Sequence, residues 1–257
     1  MTHTIAVFNH KGGVGKTTTV VNLAAGLSRY HDKRCLVVDT DPQANATRAL
    51  LGQELPQDQR TLRHVLLREV GFADTIVKTD IPKLKLAPAD LALSEAEFKL
   101  ASSMSRELVL KEQLEPTIRS YDYVIIDCGP SLGLLALNAL AAADHAIIPC
   151  ETQFLSLRGL HYVLDVLSLI QGKLNPKLNI LGVLATKFYV LSRANNEALQ
   201  CMRSFKNLHV FNAVIPRDVK AEEAPSHGKP LTTYAPDSRA ARQYLLFAEE
   251  VNRLCPS

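Results

Sequence analysis

The sequence contains no tryptophan, and aromatic residues make up only 6% of its 257 positions, so the core is expected to be mainly aliphatic. No uninterrupted apolar stretch approaches the roughly 20 residues that a helix needs to span a bilayer. No basic leader precedes the first strand-like run, and a signal peptide is therefore not expected. The hydrophobic fraction of 47% and the charged fraction of 21% are typical of an ordinary soluble globular protein.

Cysteine is sparse and follows no metal-binding pattern. The cysteines are five, an odd number, and are scattered along the chain: Cys35, Cys128, Cys150, Cys201 and Cys255. Their spacing matches no paired metal motif. We expect reduced thiols, several of them in the core, as in a cytosolic protein.

Positive charge is concentrated toward the C-terminal end. The net charge is +3, but residues 171–257 carry 12 Lys or Arg against 7 Asp or Glu, whereas residues 1–170 carry 17 against 19. A basic segment of this kind can provide an electrostatic surface for a polyanion. On charge alone, a solvated surface with ordinary scatter is the favoured interpretation.

Short apolar runs alternate along the chain with segments whose apolar residues recur at helical spacing. The predicted strands are Ile5–Phe8, Cys35–Asp39, Tyr123–Asp127, Ala146–Pro149, Ile180–Ala185 and Val210–Ile215. The predicted helices span 17–30, 94–115, 132–142, 156–172, 194–205 and 238–254. This alternation predicts a single α/β domain over residues 1–257, with a mainly parallel twisted sheet and helices on both faces. The least regular stretch, 52–92, is expected to be a peripheral excursion.

A glycine-rich segment follows the first predicted strand, where ligands of such sheets bind. It reads Asn9-His-Lys-Gly-Gly-Val-Gly-Lys-Thr-Thr18 and contains the Gly-Lys-Thr ending of a phosphate-binding loop. Glycines let backbone N–H groups turn toward a phosphate, and the following helix adds its positive N-terminal end. Lys16 is expected to contact the β- and γ-phosphates and Thr17 to ligate Mg²⁺. The predicted nucleotide-binding residues are Lys11, Gly12, Gly13, Val14, Gly15, Lys16, Thr17 and Thr18.

The loop departs from the standard phosphate-binding motif at one position. The motif has a glycine five positions before Gly15, and His10 stands there instead. A second lysine, Lys11, follows directly and needs an explanation of its own. A simple glycine turn between strand and helix is disfavoured, because the flanking elements and the acidic strand ends downstream fit the specific context.

Acidic residues follow two of the predicted strands. The second strand runs into Asp39-Thr-Asp41, and the third ends in Asp127. A carboxylate placed after an apolar strand and beside a phosphate loop can hold Mg²⁺ directly or through water. Asp41 and Asp127 are therefore candidate metal residues, and Asp41 could instead orient the attacking water. Turn or helix capping is the structural alternative.

Four segments together resemble the ParA/MinD family of ATPases, and within it the ParA/Soj branch. The loop Lys11–Thr18 is similar to the family's deviant Walker A box, and Asp39-Thr-Asp-Pro-Gln-Ala-Asn-Ala-Thr47 to its second box. The segment Tyr121–Ser131 resembles the Walker B box, and Ile215–Pro230 resembles the C-terminal signature. The resemblance extends from residue 4 to about residue 250 and implies a P-loop NTPase fold. It is to the small form, without an N-terminal DNA-binding extension.

The resemblance implies an ATPase that uses ATP and Mg²⁺ and forms a homodimer when ATP is bound. Lys11 would cross the dimer and contact the partner's nucleotide, a charge supplied in trans. Asp41 would position the attacking water, and Asp127 would lie near the magnesium shell. Pro216 and Arg217 would lie beside the adenine. The expected catalytic residues are Lys11, Lys16 and Asp41.

The resemblance also implies binding to double-stranded DNA without sequence preference. Lys220 matches a basic position that contacts DNA in this branch, and Arg193 matches another, in a loop longer than the usual pattern. Such binding neutralises phosphates and weakens steeply with salt. The implied function is to segregate a plasmid or chromosome, or to position a protein cargo, with hydrolysis stimulated by a ParB-like or cargo-linked adaptor. The implied location is the cytoplasm, in association with the nucleoid.

Two positions depart from the family pattern. Gly129 stands where the family usually has proline after the Walker B aspartate, and it is expected to loosen the second switch. Arg158 stands where relatives usually carry glutamate. Neither change affects the expected nucleotide chemistry, but both bear on the identity of the stimulating adaptor.

Two other functions remain as alternatives. A MinD-like membrane-surface ATPase in division-site placement needs a C-terminal amphipathic helix with a basic face. The last predicted helix, Ala240–Leu254, is expected to pack on the body, so no stable membrane anchoring is expected. The packing residues are Tyr244, Leu245, Phe247, Val251 and Leu254. An electron-transfer ATPase of the nitrogenase iron-protein type needs cluster-ligating cysteines, and apart from Cys128 beside the Walker B aspartate no such pattern is present.

Overall fold

The computed structural model describes residues 1–56 and 58–256, in which eight strands and eleven α-helices follow one another. The strands are β1 (His3–Val7), β2 (Cys35–Asp39), β3 (Val77–Lys78), β4 (Leu84–Ala87), β5 (Tyr123–Asp127), β6 (His145–Glu151), β7 (Asn179–Phe188) and β8 (Val210–Pro216). The helices are α1 (Lys16–Tyr30), α2 (Asn45–Leu51), α3 (Leu62–Leu66), α4 (Leu93–Leu100), α5 (Val109–Ile118), α6 (Leu134–Ala142), α7 (Phe154–Lys173), α8 (Arg193–Arg203), α9 (Val219–Glu223), α10 (Leu231–Tyr234) and α11 (Arg239–Leu254).

The eight strands form one sheet in the order β3-β4-β2-β5-β1-β6-β7-β8. Neighbouring strands pair in parallel, except for β3 and β4, which pair antiparallel at one edge. Strands β5 and β1 are neighbours in the middle of the sheet. From β1 the chain crosses toward the β3 edge to reach β2, whereas from β5 it crosses toward the β8 edge to reach β6, so the two connections run in opposite directions at the β1–β5 pair. Sheets of this kind bind ligands at the carboxyl ends next to such a point. The predicted mainly parallel sheet is confirmed.

Helices cover both faces of the sheet because alternate strand residues face opposite sides. In β1, Ile5 and Val7 are buried in a cluster with residues of α1 and α11. Ala6 and Phe8 are buried in a second cluster, with residues of α5, α6 and α7. The two-sided helical cover predicted from the sequence is therefore confirmed.

Helices α1 and α11 approach each other closely at Gly26. A Cβ added to Gly26 would lie 2.8 Å from the Cβ of Ala248, so the position has no room for a side chain unless the helices separate. Helix α11 is also fixed to β8 through Glu250, whose carboxylate accepts the N–H groups of Asn212 at 2.9 Å and Ala213 at 2.7 Å. These contacts hold the last helix against the sheet.

The last helix packs on the body of the protein, as predicted. Tyr244, Phe247 and Val251 are buried, and Leu245 is half-buried, whereas Leu254 is 44% exposed. Among the helices of the described residues, none combines the length and the apolar composition that crossing a bilayer requires.

The single helix predicted over 94–115 is wrong, because two helices occupy this region. Helix α4 ends at Leu100 and α5 begins at Val109, with turns between them. Ser105 has a φ of 53°, and the hydroxyl of Ser102 donates to the carbonyl of Lys99 at 3.0 Å. Serine side chains compete for backbone hydrogen bonds in this way, which favours turns over a continuous helix.

The stretch 52–92 extends the sheet and is not only a peripheral excursion. It contains α3, β3 and β4, and β4 pairs in parallel with β2; Gln57, within the stretch, lies outside the described residues. Leu84 and Leu86 are buried and Lys85 between them is exposed, which is the two-residue period of a strand. The run is too short for this period to distinguish a strand in the sequence.

Candidate nucleotide-binding site

The glycine-rich loop joins the carboxyl end of β1 to the first turn of α1, near the centre of the sheet. Gly13 and Gly15 have φ angles of 74° and 90°, a region that residues with a Cβ rarely adopt. Gly15 is also the N-cap of α1, and no side chain caps this helix end. The first N–H groups of α1 are thus able to bind an anion, with the helix dipole favouring negative charge.

A cleft of about 610 Å³ opens beside this loop. Its wall includes Lys16 and Thr17 from the start of α1, Asp41 from the segment after β2, and Lys187 from the end of β7. A volume of this size falls within the range of ligand pockets, about 300–1,000 Å³. The cleft therefore joins the loop to one of the two predicted acidic strand ends.

Lys16 is folded back over the loop. Its Nζ atom donates to the carbonyl oxygen of Lys11 at 3.0 Å, and the residue is only 7% exposed. Burial lowers the pKa of Lys16, and the charges of Asp127 and Asp41 oppose this shift. A phosphate at the loop would give this buried ammonium an anionic partner.

Asp127 lies behind the loop with one oxygen bonded and one free. Its Oδ2 accepts the hydroxyl of Thr17 at 2.8 Å, whereas Oδ1 is buried without a hydrogen-bond partner. Burial and the neighbouring carboxylate of Asp39 raise the pKa of Asp127 well above its usual range. A hydroxyl next to a buried, unpartnered carboxylate oxygen fits Mg²⁺, which prefers oxygen ligands. The residues present therefore fit the predicted metal.

Asp39, which was not among the predicted site residues, fixes the segment that carries Asp41. Asp39 Oδ1 accepts the N–H of Asp41 at 3.1 Å, and Oδ2 accepts both the N–H and the hydroxyl of Thr47 at 2.8 Å. Burial raises the pKa of Asp39 to about 6. Asp39 thus ties the end of β2 to α2, while Asp41 remains at the cleft.

The end of β5 lies against the same segment. A Cβ added to Gly129 would be 3.6 Å from the carboxyl group of Asp41, an ordinary contact distance, so space alone does not require glycine there. Thr40 also bridges the two strand ends, because its hydroxyl donates to the carbonyl oxygen of Asp127 at 2.6 Å. The loosening expected from Gly129 stays a prediction.

Lys11 is held by a carboxylate of its own chain. Its Nζ lies 2.6 Å from Oε2 of Glu151 and 3.5 Å from the hydroxyl of Ser156, and Lys187 lies 3.3 Å from the other carboxylate oxygen. Burial of Glu151 favours a higher pKa, but its hydrogen bonds with Lys11 and Lys187 and their charges outweigh burial and lower it. Neither Glu151 nor Lys187 was predicted as a site residue. The only sequence signal for them is their position at the ends of β6 and β7.

Pro216 and Arg217 lie next to the loop, on its side toward β8. Together with Val14, Thr18 and Tyr244 they line a small cavity of about 70 Å³. The backbone N–H of Arg217 donates to the carbonyl oxygen at the end of β7 at 3.0 Å, which fixes this turn to the sheet. The structure thus brings both residues to the edge of the candidate site.

The predicted DNA-binding residues lie outside the cleft. Arg193 is the first residue of α8 and lies 2.8 Å from Glu197, and Lys220 in α9 lies 2.8 Å from Glu223. The Arg193 and Lys220 side chains are 93% and 53% exposed, on segments that follow the carboxyl ends of β7 and β8. Arg158 is an exposed residue of α7.

The cysteines are free, and all but Cys201 are buried, which confirms thiols in the core. Burial raises the pKa of the Cys128 thiol well above its usual range, so it stays protonated beside Asp127. In this state the Cys128 thiol is a poor nucleophile.

The chain is similar over nearly its whole length to proteins of known identity. A family described as an AAA domain matches residues 2–180. The chain is 44% identical over 247 residues to the sporulation initiation inhibitor protein Soj of Bacillus subtilis, covering 96% of this chain and 97% of that one. It is 38% identical over 247 residues to the chromosome partitioning protein ParA of Myxococcus xanthus, covering 96% and 87%.

A solved structure has the same fold with nucleotide bound. It is the crystal structure of cobyrinic acid a,c-diamide synthase from Mycobacterium smegmatis with bound ADP and magnesium. The TM-score is 0.85 at 35% identity, and the match covers 98% of this chain and 95% of that one. The fold described above is therefore one that holds ADP and magnesium in a protein of similar sequence.

Proposed function

The chain belongs to the ParA/MinD family of P-loop partition ATPases, and on this premise we propose that it is an Mg²⁺-dependent ATPase that dimerises on ATP and binds non-specific double-stranded DNA. Its cycle would segregate a plasmid or chromosome, or position a protein cargo, on the nucleoid in the cytoplasm. The observation that carries the proposal is the group Lys16, Thr17 and Asp127. In it a buried ammonium and a hydroxyl at the start of α1 lie beside a carboxylate with one free oxygen.

Nucleotide binding would use the loop and the start of α1. The phosphates would accept hydrogen bonds from backbone N–H groups of the loop, at the start of α1, which no side chain caps. Lys16 would exchange the Lys11 carbonyl for a phosphate oxygen, and this anion would favour the charged form that burial disfavours. Thr17 and Asp127 would hold Mg²⁺, whose chemistry when bound is neutralisation of phosphate charge.

Hydrolysis would depend on Asp41 and on Lys11 of a second copy. Asp41 is 7% exposed at the cleft wall, and its position is fixed by Asp39, so its carboxylate can orient a water molecule toward the γ-phosphate. The side chain of Lys11, at the start of the glycine-rich loop, is 44% exposed. In an ATP-bound homodimer it would add positive charge at the partner's phosphates.

DNA binding would use the basic C-terminal third of the chain. Exposed Arg193 and Lys220 lie on segments that follow the carboxyl ends of strands, as the glycine-rich loop does. ATP-dependent dimerisation could therefore align two such surfaces. Binding would be electrostatic and salt-sensitive. Stimulation of hydrolysis would come from a ParB-like or cargo-linked adaptor, because a DNA-bound dimer needs a signal for release.

Partition is favoured over the activity named for the Mycobacterium smegmatis structure. The two relatives named for sporulation control and chromosome partitioning reach 44% and 38% identity, against 35% for that structure. A shared fold alone does not carry an activity from one protein to another. A membrane-surface role is less favoured, because the apolar face of α11 is buried against the body of the protein.

The test is binding of the full chain to a random-sequence DNA duplex with ATP, with ADP and without nucleotide, at two salt concentrations. We expect binding only with ATP and weaker binding at the higher salt. Lys220→Ala and Arg193→Ala should each weaken binding, whereas Lys111→Ala, an exposed lysine on α5, should not. An ATP-bound dimer that binds no DNA in any condition, but sediments with anionic liposomes, would replace the DNA proposal with the membrane alternative.

A further inference from the structure

Two histidines and a cysteine meet at the amino ends of the strands, away from the nucleotide loop. His3 is the first residue of β1, His145 is the first residue of β6, and Cys255 follows the last helix. One ligand atom from each lies within 4.8 Å of the other two. The residues are far apart in sequence, so no spacing pattern in the chain indicates this cluster.

The distance between the two imidazoles matches that of a tetrahedral zinc site. His3 Nδ1 lies 3.4 Å from His145 Nε2. Two nitrogens that each bind a tetrahedral Zn²⁺ at about 2.0–2.1 Å lie roughly 3.3–3.4 Å apart. The imidazole and thiolate ligands also select for zinc over magnesium or calcium, which prefer oxygen.

Hydrogen bonds of the surrounding chain orient His3 as a ligand. His3 Nε2 lies 3.2 Å from the carbonyl oxygen of Pro256, so an N–H at Nε2 donates there and leaves the Nδ1 lone pair facing His145. A second ring nitrogen bonded to a backbone carbonyl is the usual arrangement of a metal-binding histidine. The backbone N–H of His3 donates to the carbonyl of Asp122 at 3.0 Å, which holds the ring at the end of the sheet.

The other two side chains are also held in place. Nδ1 of His145 is buried without a hydrogen-bond partner, and Cys255 is only 1% exposed. Asp144 accepts the N–H of Thr4 at 2.9 Å. Burial and the negative charge of Asp144 raise the pKa of the Cys255 thiol to about 11, so a metal ion would have to displace its proton. A cation would therefore meet a pre-formed pair of imidazoles and a thiol.

We propose that His3, His145 and Cys255 bind one Zn²⁺ per chain, with the fourth position filled by water. Binding releases the thiol proton of Cys255 to solvent and moves the His145 proton from Nε2 to Nδ1, so the ion takes a thiolate and two neutral rings. The bound ion joins the segment after α11 to β1 and β6. Its role is structural, because the nucleotide loop lies at the opposite ends of the strands.

The first measurement is a zinc titration of the full, untagged chain in competition with a chromophoric chelator. We expect one tight site per chain. Co²⁺ in place of zinc should give a thiolate-to-cobalt absorption band in the near ultraviolet, because Cys255 is a ligand. Absence of tight zinc binding, or a cobalt complex without this band, would overturn the proposal.

Variants then locate the site. Cys255→Ser and His145→Gln should each weaken zinc binding by at least about 100-fold, at or beyond the upper end of what loss of an outer-shell partner costs. Cys201→Ser is the matched control, because Cys201 is exposed on α8, and it should bind as the parent does. His3→Asn, at the partly exposed strand end, provides a further variant. ATP binding measured in parallel identifies any variant that does not fold, and unchanged zinc affinity in folded ligand variants would overturn the assignment.

Discussion

The ammonium of Lys11 lies 2.6 Å from the carboxylate of Glu151 in the same chain. The second oxygen of that carboxylate lies 3.3 Å from Lys187, so one acidic group at the end of β6 holds two lysines beside the phosphate loop. Glu151 therefore sets the position from which Lys11 would reach a second copy of the chain.

Lys11→Ala should bind ATP but fail to dimerise. The phosphate contacts expected from the loop N–H groups and from Lys16 remain, whereas the charge supplied to the second copy is lost. Sizing chromatography with light scattering in ATP should show a monomer. The control Lys111→Ala should dimerise like the parent, and an intact ATP-dependent dimer of Lys11→Ala would refute the role in trans.

Lys16→Ala should lose ATP binding. A charge-assisted hydrogen bond contributes up to about 3 kcal/mol, which corresponds to roughly 100-fold in affinity. Titration with a fluorescent ATP analogue measures the change, and circular dichroism checks that the variant is folded. Parent-like affinity in a folded Lys16→Ala protein would exclude this loop as the phosphate site.

Asp41→Ala should accumulate the ATP-bound dimer. Without the carboxylate that orients the attacking water, turnover should fall by about 100-fold or more, while binding and dimerisation persist. Phosphate release and the oligomeric state are measured on the same sample, with the exposed Asp80→Ala as control. Unchanged turnover would remove Asp41 from catalysis.

Asp127→Asn should change how the stability of the nucleotide-free protein depends on pH. Burial and Asp39 raise the pKa of Asp127 in the folded state, so the folded protein binds this proton more tightly than the unfolded chain does. The stabilisation is present at low pH and is lost as the pH rises through the raised pKa. The variant should therefore be more stable, relative to the parent, at pH 8 than at pH 5.

Thermal unfolding without magnesium or nucleotide measures this difference, at about 2–4 °C for each kcal/mol. The control Asp80→Asn should differ from the parent in melting temperature by the same small amount at pH 5 and at pH 8, because Asp80 is exposed. If the melting temperature of Asp127→Asn differed from that of the parent equally at pH 5 and pH 8, this would contradict a raised pKa of Asp127. The variant should also weaken the stabilisation that magnesium adds in the presence of ATP.

Gly26→Ala should destabilise the protein although alanine favours helix. The added methyl group would lie 2.8 Å from the Cβ of Ala248, and overpacking of this kind costs about 1–3 kcal/mol, against a helix-propensity gain of about 1 kcal/mol. Urea unfolding gives the change in free energy. Ala248→Gly in the Gly26→Ala background should recover part of the loss by removing the clash, and no recovery would assign the effect to another contact.

The strand, glycine turn and helix around the candidate loop, and the acidic strand ends, could be predicted because their signals are local. A strand, a glycine-rich turn and a helix follow one another in the sequence, and Asp127 directly ends an apolar run. Both features depend on residues within a few positions of each other, and the structure has them as expected. The parallel sheet also followed from the alternation of strands and helices.

The partners that fold brings together could not be predicted in this way. Glu151 is 140 residues from Lys11, and only the adjacency of β1 and β6 places them in contact. The cluster of His3, His145 and Cys255 depends on the same adjacency and on where α11 ends. Strand β4 was missed for another reason, because its four residues are too few to establish a period.

The contact at Gly26 connects the two ends of the molecule. Helix α1 begins at the glycine-rich loop, and α11 ends directly before Cys255, so the close contact of the two helices at Gly26 joins the carboxyl ends of the strands to their amino ends. A tilt of α1 on nucleotide binding would be transmitted to α11. Thermodynamic reciprocity then requires that any ion bound at the amino ends change the affinity for nucleotide by the same factor by which nucleotide changes the affinity for the ion.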